Sequence, residues 1–216
     1  MKKSTNKLEL IVDEIPRKRA VYDPVGTRKA VIDAAVRLFS EKGFATTSVQ
    51  EIVEGAEVTK GAFYHHFSSK EDVLLQIRDE IAREMLQNAQ NAVDTFKSPK
   101  DQLKNYILQG VKSVVEQRAY VAINFQEFHS FSEKGRAAIK HNNKQQETII
   151  RGIIDRGKQA GCFRQELDSR FLTATIPAMI TWVYRWYNPS GRLSVTELSS
   201  MVCELVLNGV MESGSA

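Results

Sequence analysis

The sequence predicts an all-α protein of about nine helices, with a small three-helix N-terminal domain followed by a larger C-terminal helical domain. Three observations carry this prediction. Apolar residues recur at helical spacing through nearly all of the 216 residues, while strand-like alternation is scarce. Only 5 prolines and 12 glycines interrupt the pattern. Three short amphipathic segments crowd between residues 24 and 67, before the periodic stretches lengthen.

Residues 1–22 show weak periodicity and both charges, so they read as a flexible basic arm with charge concentrated in Pro16-Arg17-Lys18-Arg19. The first firm helix covers about Pro24 to Lys42. Pro24 suits its first turn, Val31, Ala34, Ala35, Leu38 and Phe39 make its apolar stripe, and Gly43 is placed as its C-terminal cap. Thr47 and Ser48 offer N-cap oxygens to a second helix that stops near Gly55-Ala56, with Glu51 three residues beyond Ser48. Glu57-Val58 makes a tight connection to a third segment, Thr59 to Phe67. Ser68-Ser69-Lys70-Glu71 starts a long fourth helix through Leu74, Ile77, Ile81, Met85 and Phe96.

Further helices are predicted from Ser98-Pro99 to about Glu116, over 118–130, over 133–160 up to Gly161, from Asp168 to about Tyr187, and from Ser194 to about Asn208-Gly209. The domain boundaries that follow are an arm over 1–22, a helical domain over 23–70 and a second over 71–216. There is no internal repeat and no low-complexity tract.

Composition narrows the function classes. Hydrophobic residues at 42% and charged residues at 26% are ordinary for a globular chain, and no apolar run approaches a membrane span. The N-terminus lacks the apolar core of a secretory signal, which makes a cytoplasmic location the expectation. Cys162 and Cys203 are isolated and form no CxxC motif, so they read as buried, reduced thiols. No nucleophile with a neighbouring His, no paired carboxylates and no metal-ligand spacing stand out, so neither an enzyme nor a bound cofactor or metal is expected. The net charge is +4 and its distribution is uneven: residues 1–70 hold 12 Lys/Arg against 9 Asp/Glu, a surplus of +3, leaving +1 for the rest.

Residues 48–67 have the layout of a helix-turn-helix. A recognition helix must bring its first turn against base edges in a groove about 12 Å wide, so Gly61 and Ala62 permit close approach while Thr59 and Lys60 supply donors. Phe63 and Phe67, four apart, face inward with Ile52 and Val53, which leaves Tyr64, His65 and His66 on or near the outer face. Tyr64 has a core reading as well as a surface one. Adjacent helical residues point about 100° apart, so His65-His66 makes a poor metal pair. The basic arm is either a solubilising tail or a minor-groove contact. Glu51, Glu54 and Glu57 must point away if this face meets DNA.

Ala34-Ala35 with Leu38-Phe39, Lys42-Gly43-Phe44 with Thr46-Thr47, Ile52 with Gly55-Ala56, and above all the run Gly61 to Leu74 resemble the TetR/AcrR transcriptional repressors. The resemblance is specific over about residues 27–77. It implies DNA contacts from Thr47, Ser48, Gln50, Lys60, Gly61, Ala62, Tyr64, His65, His66 and Lys70. Physical chemistry suits most of them: hydroxyls and helix N-termini bind phosphate, Lys70 is a point charge, and the amide of Gln50 can pair with adenine.

For the C-terminal helices the resemblance implies an effector cavity bordered by Tyr106, Gly110, Val114, Phe125, Phe128, His129, Met179 and Trp182, although each residue has a plain core reading too. It also implies an intersubunit four-helix bundle from the last two helices, burying faces of both Trp182 and Trp186 and the stripe Met201, Val202, Leu205 and Val206. The four aromatics Trp182, Tyr184, Trp186 and Tyr187 fall within six residues, so they cannot all face one core. Thr181 to Ser194 also looks like a phrase found in members that govern fatty-acid, steroid or aromatic-acid degradation and answer to acyl-CoA thioesters; Arg185 or Arg192 would then meet coenzyme A phosphates or form a surface salt bridge.

The expected function is therefore a ligand-responsive repressor, homodimeric on a palindromic double-stranded operator and released by a small hydrophobic or acyl-CoA effector. A multidrug-sensing repressor of an efflux gene and an architectural DNA-binding protein without an effector are the alternatives.

Overall fold

The computed structural model describes residues 23–211, apart from four side chains between residues 128 and 142. Among the described residues it contains nine α-helices, one short 3-10 turn and no strand beyond a single bridge between Phe163 and Met211. The basic arm lies outside the described residues.

Side-chain oxygens set where the first four helices begin. α1 (Pro24–Lys42) starts under Asp23, whose carboxylate accepts from the Gly26 N–H at 3.0 Å, and ends at Gly43 with φ of 85°, a conformation that needs no Cβ. α2 (Val49–Gly55) opens on a capping box, with Ser48 Oγ accepting from Glu51 N–H at 3.2 Å and Glu51 Oε2 accepting from Ser48 N–H at 2.9 Å. Thr59 caps α3 (Lys60–His66) by accepting from Ala62 N–H at 3.1 Å, and Ser69 caps α4 (Lys70–Thr95) by accepting from Asp72 N–H at 3.2 Å. Such caps contribute about 1 kcal/mol each.

The body follows as α5 (Pro99–Glu116), α6 (Arg118–Gln126), α7 (Glu133–Gln159), α8 (Ser169–Trp186) and α9 (Val195–Val210). The helix expected over 118–130 is shorter than predicted. α6 stops at Gln126 and a 3-10 turn over Phe128–Ser130 follows, because the Glu127 carboxylate leaves the helix surface to accept from the backbone N–H of Phe44 at 3.1 Å and the Ser130 hydroxyl at 2.9 Å.

Two hydrophobic clusters form. One gathers Phe39, Ile52, Val53, Phe63 and Phe67 around the first two turns of α4, and is completed by Ile123 of α6, by Phe131 between the 3-10 turn and α7, and by Ile139 of α7. The other surrounds α5, where Leu103, Tyr106, Ile107 and Val111 meet α7, α8 and α9. Contact is close at the end of α7: a Cβ on Gly157 would lie 2.1 Å from the Phe163 ring, so only glycine fits. α4 enters both clusters and is about 39 Å long at 1.5 Å per residue, which makes it the physical link between head and body.

Candidate nucleic-acid interface and effector cavity

The head presents one continuous polar face. Lys60, Gly61, Tyr64 and His65 are exposed on α3, with Tyr64 at 57% exposure, and Ala62 and His66 are half-buried. Phe63 underneath is fully buried and meets the Tyr64 ring edge-on at 5.2 Å, so the helix is held by its inner aromatic while the tyrosine stands outside. A Cβ at Gly61 would meet nothing nearer than Thr59 Oγ1 at 3.8 Å; the surface there is open. The connection between α2 and α3 turns on Glu57 at φ of 55°, a left-handed position without glycine.

Around this face Glu51 and Glu54 are engaged, while Glu57 is exposed. Glu51 is bound in the capping box and paired with Lys42, whose ammonium, followed by the Ser48 donors, holds its carboxyl down at about 2. Glu54 accepts from Gln50 Nε2 at 2.5 Å. Direct base reading by Gln50 must therefore displace Glu54.

Two of the expected DNA contacts are corrected by the geometry. Thr47 is only 1% exposed, and its hydroxyl donates inward to the Gly43 carbonyl at 2.8 Å, leaving Ser48 as the exposed cap. The Lys70 ammonium donates to the carbonyls of Phe44, Ala45 and Thr47 at 2.7, 3.1 and 2.7 Å and sits 4.5 Å from the Phe44 ring centroid. An ammonium has three donors, so Lys70 is spent on clasping the loop between α1 and α2 and has none left for phosphate.

In the body, a cavity of about 710 Å³ opens between α4, α6, α7 and α8. Its walls include Arg78, Ile81 and Met85 of α4, Phe125 of α6, Asn143, Gln146 and Ile150 of α7, and Thr173, Pro177 and Thr181 of α8. Of the residues expected to border ligand, Phe125 lines this cavity. Tyr106, Gly110 and Val114 lie instead in the packed cluster around α5. There Tyr106 accepts a hydrogen bond from Gln146 at 2.9 Å, burial pushes its phenol upward, and Gly110 lets Ile180 approach to where a Cβ would stand 3.1 Å away. Met179 packs against the same cluster, and His129 is an exposed residue of the 3-10 turn. Trp182 is 55% exposed on the outside of α8. The Phe128 side chain lies outside the described residues.

The reason for these misplacements is rotational. α5 is central to the body and turns its aromatic and small residues into packing with five neighbours, and none of its residues lines the cavity. Arg78 is the cavity residue that the spacing could have revealed. It stands four after Leu74 and three before Ile81, placing a charge on the buried stripe of α4.

Phe171, Trp182 and Trp186 of α8 and Met201 and Leu205 of α9 are all more than half exposed, while Val202 is half-buried. They form an apolar surface on two adjacent helices of the chain. No helix among the described residues is long and apolar enough to cross a membrane.

A capped helix-turn-helix with an exposed recognition surface, joined through one long helix to a hollow helical body, defines a DNA-binding regulator with an effector domain. Residues 31–77 match the tetR family of bacterial regulatory proteins, and residues 97–210 match the tetracyclin repressor-like C-terminal domain. The chain belongs to the TetR family, and it is a ligand-responsive transcriptional repressor rather than an enzyme. It is similar to the transcriptional repressor KstR2 of Mycobacterium tuberculosis, 29% identical over 197 residues that span 87% of this chain and 94% of the other. The fatty acid metabolism regulator protein of Bacillus subtilis is 25% identical over 181 residues, 83% and 93% of the two chains. Among solved structures, the ketosteroid transcriptional regulator KstR2 of Mycobacterium tuberculosis superposes with a TM-score of 0.77 at 26% identity, covering 86% of this chain and 95% of that one. The AibR regulator, solved with isovaleryl coenzyme A and operator DNA, shares the fold with a TM-score of 0.73 at 23% identity, covering 83% and 97%.

Proposed function

We propose that this repressor acts in the cytoplasm as a homodimer on a palindromic operator and is released from it by an acyl-CoA thioester. The observation that carries this reading is the cavity of about 710 Å³, whose walls combine apolar side chains with Arg78, Arg151 and Arg170. That volume lies within the range of small-molecule sites, and the mixture suits an amphipathic ligand with an apolar acyl part and negatively charged or polar remainder. The relatives named above, one a fatty-acid regulator and one solved with an acyl-CoA, agree with it.

The exposed stripe of Trp182, Trp186, Met201 and Leu205 supports dimerisation through α8 and α9, since a two-fold interface needs one self-complementary apolar patch. Of the two roles expected of Trp182, the dimer contact is the one its exposure supports, since it does not line the cavity. Two recognition helices would then enter successive major grooves about 34–36 Å apart. Ser48, Gln50, Lys60, Gly61, Ala62, Tyr64, His65 and His66 supply the DNA-facing surface.

Coupling runs along α4. Ile81 and Met85 border the cavity, while Val73, Leu74 and Ile77, one to three turns earlier, are buried in the head cluster. A ligand that fits only when α4 is displaced moves the head and stabilises a separation that no longer matches the operator.

Titration of acyl-CoA thioesters of varied chain into the protein–operator complex tests this directly. Release at micromolar thioester is expected. Release by free hydrophobic drugs and by no thioester would mark a multidrug-sensing repressor, and no response to any small molecule would mark an architectural protein.

A further inference from the structure

Among the described residues, the only buried side-chain nitrogens or oxygens without a hydrogen-bond partner are Nε and Nη1 of Arg78. The residue is 5% exposed and borders the cavity. Its Nη2 donates to Asn143 Oδ1 at 2.6 Å, which holds the guanidinium plane in place. The Asp79 carboxylate lies 3.9 Å from Nη1, too far for a hydrogen bond. A buried cation with open donors is costly unless a partner arrives, and the same groups become strong, short donors once an oxygen acceptor is present.

The surroundings add to the bias. Of the other charged wall residues, Glu147 is paired with Arg151 at 3.4 Å, and Arg170 adds a further positive charge. The wall is thus cationic in sum, with Ile81, Ile139 and Ile150 supplying apolar surface beside Arg78. One cation with two open donor nitrogens matches one carboxyl-derived group. A phosphate carries more charge and more acceptors than these donors satisfy.

We propose that Arg78 is the polar anchor of the effector, its Nε and Nη1 donating to a carboxyl-derived oxygen of the ligand, either the thioester carbonyl or a carboxylate. Arg78 thereby selects ligands with such an oxygen over hydrocarbons and drugs of equal size. This inference rests on the acyl thioester reading for the ligand class. Arg78 directly follows Ile77, which belongs to the head cluster, so a ligand bond at this residue acts on the part of α4 that carries the head.

The test measures operator release from the full-length protein by an acyl-CoA, by the matching S-alkyl-CoA thioether that lacks the carbonyl, and by the free acid of the same chain. Arg78→Met and Arg78→Lys are compared with the unaltered protein, and direct ligand binding is followed by calorimetry. Arg78→Met removes the two open buried donors together with the Asn143 bond, and is expected to keep operator binding in the folded protein. It should need about 10-fold or more thioester for release, the loss that a charged hydrogen bond implies. The unaltered protein should prefer thioester to thioether by a similar factor, Arg78→Met should not discriminate, and Arg78→Lys should recover part of the preference.

Equal thioester response in the unaltered protein and Arg78→Met overturns the anchor while leaving the acyl-CoA reading intact. Release by free acids but not thioesters, lost in Arg78→Met, overturns the acyl-CoA reading and upholds the anchor. Absence of release by both classes overturns the two together. Should Arg78→Met not fold, Arg78→Lys decides alone: an unchanged thioester-to-thioether ratio there overturns the anchor.

Discussion

The head concentrates its working residues in one stretch, Ser48 to His66, on two short helices whose starts are fixed by Ser48 and Thr59. The body gathers its cavity from four helices, with lining residues running from Arg78 to Thr181. The head also spends its polar groups on itself, as Lys70 and Glu51 do, and presents a fixed surface to a partner of fixed shape. The body leaves a hollow, a buried guanidinium with open donors and an apolar flank. The difference teaches that reading DNA asks for rigidity built locally, whereas sensing a ligand asks for space and unsatisfied groups built from remote parts of the chain.

Substitutions can separate the two regions. The largest effect is expected from Phe63→Ala, which opens a cavity in the head cluster and should destabilise the protein by about 3–5 kcal/mol, read from the midpoint of denaturant unfolding. Lys60→Ala combined with Tyr64→Ala should weaken operator binding by about 100-fold at unchanged melting temperature and oligomeric state, taking two contacts at about 1.5 kcal/mol each. Binding anisotropy checks this, and retained specific affinity would remove α3 as the reading surface.

Gly157→Ala breaks the body alone. Its Cβ overlaps the Phe163 ring, so a loss of about 1–3 kcal/mol in denaturant stability is expected, with intact DNA affinity in the protein that remains folded. Glu57→Gly relieves a left-handed backbone and removes a negative charge beside the reading surface. A gain of about 0.5–1 kcal/mol in stability should appear together with tighter operator binding at low salt.

The smallest effect is a pH response. The Glu51 carboxyl is held at about 2 in the folded state, against an ordinary value of 4.5, so its contribution is present above 4.5 and disappears as pH falls toward 2. Amide exchange at the start of α2 should accelerate across that acidic window in the unaltered protein, and Glu51→Gln should flatten the dependence.

The helix starts at Ser48, Asp168 and Ser194 were legible in the sequence because each cap is a local event, within three residues of the N–H groups that it receives. The exposed aromatic stripe was legible too, because four aromatics in six helical positions outnumber the places on one face. The role of Lys70 was not, since three carbonyls from residues 44 to 47 converge on it only after α1, α2 and α4 have packed. Tyr106, Gly110 and Val114 show the same limit. Their composition suits a pocket wall and a core equally, and only the orientation of α5 among its neighbours decides.

Ile123, Phe131 and Ile139 come from the body and yet fill the base of the head. A fragment ending after Ile77 would strip the head cluster of these three side chains, and would lose the Glu127 bond to Phe44 as well. The head is therefore no detachable cassette. Chimaeras that graft it onto the body of another regulator should succeed only when the recipient's α6 and the start of its α7 carry these same side chains, so binding specificity in such a protein is inherited together with part of the sensor.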